Sequence, residues 1–197
     1  MTITSYYTDV YWTKNFKIGG YTDTIYIGES GSPKGKLTWD SATVGVNNGI
    51  SSYKFYKNTT EITSYNKDSY ALSIGTYKIQ ATPEIGSTID SNSITIENLK
   101  NLANPSFSST LKSTIDSDFN FTITSLNKNN FSGVNSIAQK VERIYNGATQ
   151  IIALTNNSGT CTVSDIDDNT SFKLKITTTY NDNFGGYTTK TYTTGNI

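Results

Sequence analysis

Apolar and polar positions alternate along most of this chain. Tyr53 and Phe55 flank Lys54, and Phe119, Phe121 and Ile123 are separated by Asn120 and Thr122. A period of two sends one set of side chains to a core and the other to water, as in a half-buried strand. Turn residues interrupt the alternation at roughly 8–12-residue intervals, the spacing of strands in a sandwich. Strands are predicted over 22–27, 36–40, 53–55, 61–63, 70–74, 76–81 and 91–97. A second series is predicted over 106–111, 119–125, 141–145, 150–154, 160–164, 171–180 and 187–194. Asn146-Gly147 is the strongest hairpin signal, because a type I′ turn needs positive φ at both central positions. Residues 134–144 carry apolar side chains at Val134, Ile137, Ala138, Val141 and Ile144, a spacing that also fits a helix.

One hairpin pattern occurs twice. Residues 51–62 align without a gap on residues 140–151, a spacing of 89 residues. Each copy is a strand ending in an aromatic, a polar turn and a second strand. This repeat favours strand for the second half of 134–144. A period of this length matches one small all-β domain, so two copies of one domain are expected. The expected organisation is an aromatic-rich N-terminal segment over 1–34, a first β-sandwich over 35–97, a linker over 98–104 and a second β-sandwich over 105–197.

Composition supports strands over helices. Thr (32), Ser (23) and Asn (21) outnumber Ala (7) and Leu (8), a mix poor in helix formers and rich in strand and turn formers. The hydrophobic fraction of 35% suits thin two-layer sandwiches better than one large core. Charge is balanced, with 16 basic and 16 acidic side chains, so nothing resembles the basic stripe that neutralises phosphates, and nucleic acid is not an expected partner. No run approaches the ~20 apolar residues of a membrane helix. Cys161 is the single cysteine and reads as a small buried hydrophobe.

The pattern around the first hairpin resembles the fibronectin type III and related immunoglobulin-like domains. Trp39 matches the family's core Trp on its second strand, and Tyr53, Phe55 and Tyr56 match its third-strand aromatic run. Tyr77 matches the corner Tyr, with Leu72 ahead of it as a core plug. In the second half Ile166 and Phe172 hold the places of Leu72 and Tyr77, and Ile123 replaces the Trp. The resemblance implies two tandem sandwiches with Trp39, Tyr53, Phe55 and Tyr77 buried in the first. Phe121, Val141, Ile144 and Phe172 are the corresponding core of the second. These are core motifs and carry no chemistry.

Candidate chemistry is sparse. With no His, imidazole-based triads and His metal sites are excluded. Asp165, Asp167 and Asp168 cluster in one stretch, where they read either as a calcium site or as a solvated turn. Asp116 and Asp118 form a weaker pair. No catalytic residue, cofactor or metal is expected. The seven large aromatics of residues 1–34 have no counterpart in the repeat. They read as strands added to the first sandwich, as a docking segment or as a sugar-stacking face. Tyr6, Tyr7, Tyr11, Trp12 and Phe16 are the candidate partner-binding residues.

Residues 1–8 lack the basic start and apolar run of an export signal. Read as a complete chain that begins at Met1, it is expected to reach the outside of a cell through lysis. The expected function is therefore a non-enzymatic structural protein of a virus or phage particle: a minor capsid, cement, decoration or fibre-base component. Its expected partners are the major capsid or other virion proteins, or a host-surface ligand, with no membrane. The alternative is a carbohydrate- or receptor-binding adhesion module of a bacterial surface system.

Overall fold

A computed structural model of the chain describes residues 12, 16–29, 34–35, 37–40, 42, 48–108, 119–161 and 171–197. The fold is all-β and consists of two immunoglobulin-like sandwiches in tandem. One unit comprises residues 1–27 and 31–98, the other residues 28–30 and 99–197.

The first unit contains β1 (Lys17–Ile18), β2 (Ile25–Ile27), β3 (Lys34–Gly35), β4 (Leu37–Thr38), β5 (Ile50–Lys57), β6 (Thr60–Glu61), β7 (Tyr70–Ala71), β8 (Gly75–Pro83), β9 (Ile89–Asp90) and β10 (Ile94–Asn98). Its large sheet runs β2-β10-β8-β5-β6, with β9 also on β8. β1 pairs β4, and β3 pairs β7. Tyr77, Ile79, Ala81 and Pro83 alternate inward along β8, and Phe55 of β5 lies directly opposite Ile79. Aromatic rings supply the volume that aliphatics do not. Phe55 is fully buried and touches Phe16, Tyr65, Tyr70 and Tyr77 with centroids 4.9–6.1 Å apart.

In this unit one boundary and two core assignments differ from expectation. Ile25–Ile27 lies parallel to β10 as a strand of the main sheet, and Lys17–Ile18 pairs β4. Residues 16–27 are therefore strands and core of the first sandwich, as in the added-strand reading of the N-terminal segment, and the boundary drawn at residue 34 falls inside this unit. Trp39 and Tyr53, expected in the core, are only half-buried. The strand that carries Leu37 into the core ends at Thr38, one residue before Trp39.

The second unit contains β11 (Phe119–Thr122), β12 (Val134–Tyr145), β13 (Ala148–Ile152), β14 (Ser158–Cys161), β15 (Lys173–Asp182) and β16 (Tyr187–Thr193). One sheet runs β13-β12-β15-β16; β11 pairs β14, and Phe107 bridges to Ile123 at the end of β11. The core between them holds Phe121, Ile123, Val141, Phe172, Leu174 and Ile176. The helical reading of 134–144 fails: the whole stretch is strand, because it pairs β15 along almost its entire length. Ile144, expected in the core, is half-exposed. It stands an odd number of residues from Val141, so the pleat turns it to the other face.

The two hairpins match, one residue out of the gapless register. Lys57↔Thr60 closes the first turn and Tyr145↔Ala148 the second, so Asn58 corresponds to Asn146 and not to Gly147. Both asparagines adopt positive φ, at 55° and 47°. Asn tolerates this region better than other side chains that carry a Cβ. In the corrected register Arg143 takes the place of Phe55. It is buried, and its guanidinium donates to the Gln150 side-chain carbonyl on the neighbouring strand at 2.5 Å.

Candidate interaction surface

The N-terminal candidates divide. Tyr6, Tyr7 and Tyr11 lie outside the described residues. Phe16 is completely buried, with its ring edge-on to Phe55 at 6.1 Å. Its backbone is clamped by one side chain: Asn92 accepts the Phe16 N–H at 3.0 Å and donates to the Phe16 and Thr22 carbonyls. Phe16 is thus a core residue, a correction to its reading as a candidate partner-binding residue. Past it, Ile18 and Tyr21 exchange two 3.0 Å backbone hydrogen bonds around Gly19 and Gly20. Those glycines take φ of 57° and 91°, which a two-residue hairpin turn requires.

Trp12 has a different environment. It is half-buried and packs edge-on against Tyr53 at 5.7 Å. Trp39 packs on the same Tyr53 at 6.3 Å, so the chain's two tryptophans flank one tyrosine. The Tyr53 hydroxyl accepts the Ala42 N–H at 3.2 Å, which fixes the central ring. The Lys67 ammonium sits 3.8 Å from the Trp39 ring centroid, a cation–π contact. The result is a row of three large, partly covered aromatics with a cation at one end. Such side chains bury much area at little entropic cost when a partner covers them. The sequence points to Trp12, but not to its contact with Tyr53 or to Lys67, which is distant in sequence and carries no motif.

The buried carboxylates of the described residues serve the fold. Asp182 closes the β15–β16 hairpin: one oxygen accepts the Phe184 and Gly186 N–H groups at 2.8 and 2.7 Å, and the other accepts the Gly28 N–H at 2.7 Å. Glu142 lies on the outer face of β12 between Lys140 at 3.0 Å and Lys175 at 3.5 Å. The Lys140 hydrogen bond, helped by both lysine charges and opposed by desolvation, holds its carboxyl below the ordinary 4.5. Burial pushes the phenols of Tyr65, Tyr70 and Tyr180 above the ordinary 10.0. Asp116, Asp118, Asp165, Asp167 and Asp168 lie outside the described residues. Among the described residues no three His, Cys, Asp or Glu side chains gather where one ion could sit. No helix there is long and apolar enough to cross a membrane.

The second unit also has an open flank. A groove of about 920 Å³ runs beside β13, β14 and the middle of β11. Its walls are uncharged, with Asn120, Gln150 and Thr160 beside Phe121 and Ile152.

No family model matches the chain, and no curated protein matches it. Solved structures similar to it include a chimeric titin Z1Z2 carrying an exogenous peptide from decorin, 11% identical with a TM-score of 0.26. That match covers 96% of this chain and 94% of the titin chain. Drosophila N-cadherin EC1-3 is 12% identical with a TM-score of 0.28, and the match covers 86% of this chain and 62% of that one. Extracellular domains 3-5 of Drosophila OTK are 9% identical with a TM-score of 0.29, covering 91% and 60%. The chain thus spans under two thirds of the N-cadherin and OTK structures. The fold assignment rests on the strand pairing described above.

Proposed function

We propose that this chain is a non-enzymatic structural protein of a virus or phage particle, a decoration, cement or fibre-base component that works through protein–protein contacts. The observation that carries the reading is where the buried carboxylates go. Asp182 is committed to three backbone N–H groups, and Glu142 is committed to two lysines. A catalyst keeps such groups aimed at a cleft for substrate. Here they hold a hairpin and a sheet face, as in a scaffold. The Trp12–Tyr53–Trp39 row is the contact surface we assign to this role, with a major capsid or other virion protein as partner. Its half-covered rings suit a protein interface.

Among the described residues a sugar-binding adhesion module gains no comparable support. It needs coplanar exposed rings, and the exposed Tyr187 and Tyr192 stand an odd number apart on β16, so they face opposite sides. The test of the structural role is composition. Particles purified through a density gradient should contain this chain in a fixed ratio to their main shell protein, read by quantitative mass spectrometry. Its confinement to the free-protein fractions would overturn the reading.

A further inference from the structure

We propose that two copies of this chain associate through β13, edge to edge and antiparallel across a two-fold axis. The proposal is independent of the particle role and rests on how the sheet edges are treated. An edge strand presents unpaired N–H and C=O groups and invites another strand, so edges are shortened, charged or covered. In the first unit the large sheet ends at β6, which has two residues and carries Glu61 paired with Lys54 at 3.0 Å. Its other end, β2, has three residues.

In the second unit β16 is covered. Glu29 donates its N–H to the Tyr187 carbonyl at 3.1 Å, and Lys190 donates to the carbonyls of Lys100 and Leu102. Among the described residues β13 has none of these protections. It is the matching strand to β6 but has five residues, Ala148-Thr149-Gln150-Ile151-Ile152, without charge or proline. Among the described strands its one sheet neighbour is β12. Ile151 is 67% exposed, the most exposed of the chain's described large hydrophobics. The groove alongside is lined, among the described residues, by uncharged side chains.

A second copy fits this edge because the strand is complementary to itself. Antiparallel pairing about Gln150 sets Thr149 opposite Ile151 of the other copy, a pairing of β-branched residues, and brings no like charges together. The chain's formal net charge is zero, so copies do not repel at long range. The two four-stranded sheets then continue as one, and both open edges disappear.

The test is the oligomeric state of the full chain by sedimentation equilibrium over a wide concentration range. The wild-type chain should be a reversible dimer. Ile151→Lys places a charge at an exposed position and should weaken dimerisation at least tenfold without loss of strand content. Gln150→Cys should give a disulfide-linked dimer on oxidation, since Gln150 meets its own counterpart at the axis. A wild-type chain that is monomeric throughout overturns the proposal. So does a dimer that is indifferent to Ile151→Lys, or failure of the Gln150→Cys variant to cross-link, because association then uses another surface.

Discussion

The Tyr77 hydroxyl donates to the Ser73 carbonyl at 2.8 Å and accepts the Ser73 N–H at 3.2 Å. The two residues close a corner just where β8 begins, and the Tyr77 ring stacks on Phe55 at 5.7 Å. The second unit has buried Phe172 at the matching place, with no hydroxyl to make the bond. Tyr77→Phe should therefore keep the stacking and lose the corner. Because Ser73 is exposed and can bond water instead, the expected cost is about 1 kcal/mol in urea denaturation. Phe172→Ala removes a core ring and should cost roughly 3–5 kcal/mol.

Removing the residues before Gly31 should unfold the first unit. That deletion takes away Phe16, Ile18, Ile25 and Ile27, four buried side chains worth roughly 1.5–3 kcal/mol each. It also strips β2 from β10. Circular dichroism and proteolysis should report the loss. A cooperative, protease-resistant first unit after this deletion would contradict the assignment of these residues to the core.

The second unit should depend on a close approach at Gly28. A Cβ there would lie 2.3 Å from the Tyr187 backbone nitrogen and 2.6 Å from its Cα, and strand backbone cannot yield to it. Gly28→Ala should destabilise this unit by roughly 2–4 kcal/mol. Asp182→Asn keeps the shape but replaces one acceptor oxygen with an NH2 group that cannot accept, so at least one of the three hydrogen bonds is lost, at a cost of roughly 1.5–3 kcal/mol. Chemical denaturation of each variant checks both figures.

Glu142 gives the fold an acid-sensitive element. Its folded value is lowered, so the unfolded chain binds its proton first as pH falls. Its contribution is complete above the ordinary 4.5 and is lost as pH drops through the lower folded value. The melting-temperature gap between wild type and Glu142→Gln should be widest above that window and should close below it. A gap that stays constant through acid would remove Glu142 as the cause.

Much of the fold is legible in the sequence because alternation and turn chemistry are local. The Asn146-Gly147 turn and the Phe119–Phe121–Ile123 face follow from spacing of a few residues, and Tyr77 with Leu72 ahead of it from the resemblance to fibronectin type III domains. The misses are matters of register and partnership. The family pattern puts Ile144 on the core side, although parity with Val141 forbids it. The letters of the repeat align without a gap, and the turns shift that alignment by one residue. Phe16 reads as a surface aromatic, because the clamp that buries it comes from Asn92, far along the chain. The Asp182 cap is hidden for the same reason: Gly28, one of its donors, is remote in sequence. Of the aromatic row, only Trp12 stands out as a contact residue in the sequence, since the ring that joins it to Trp39 is expected in the core.

The most direct test of the structural role is recruitment to particles that lack the chain. Purified protein, mixed with such particles and centrifuged, should pellet with them. Trp12→Ala, at a half-buried position, should keep its circular dichroism spectrum. Loss of an interface anchor worth ~2 kcal/mol should then weaken recruitment about thirtyfold. Wild-type protein that stays in the supernatant while the particles pellet would contradict the account.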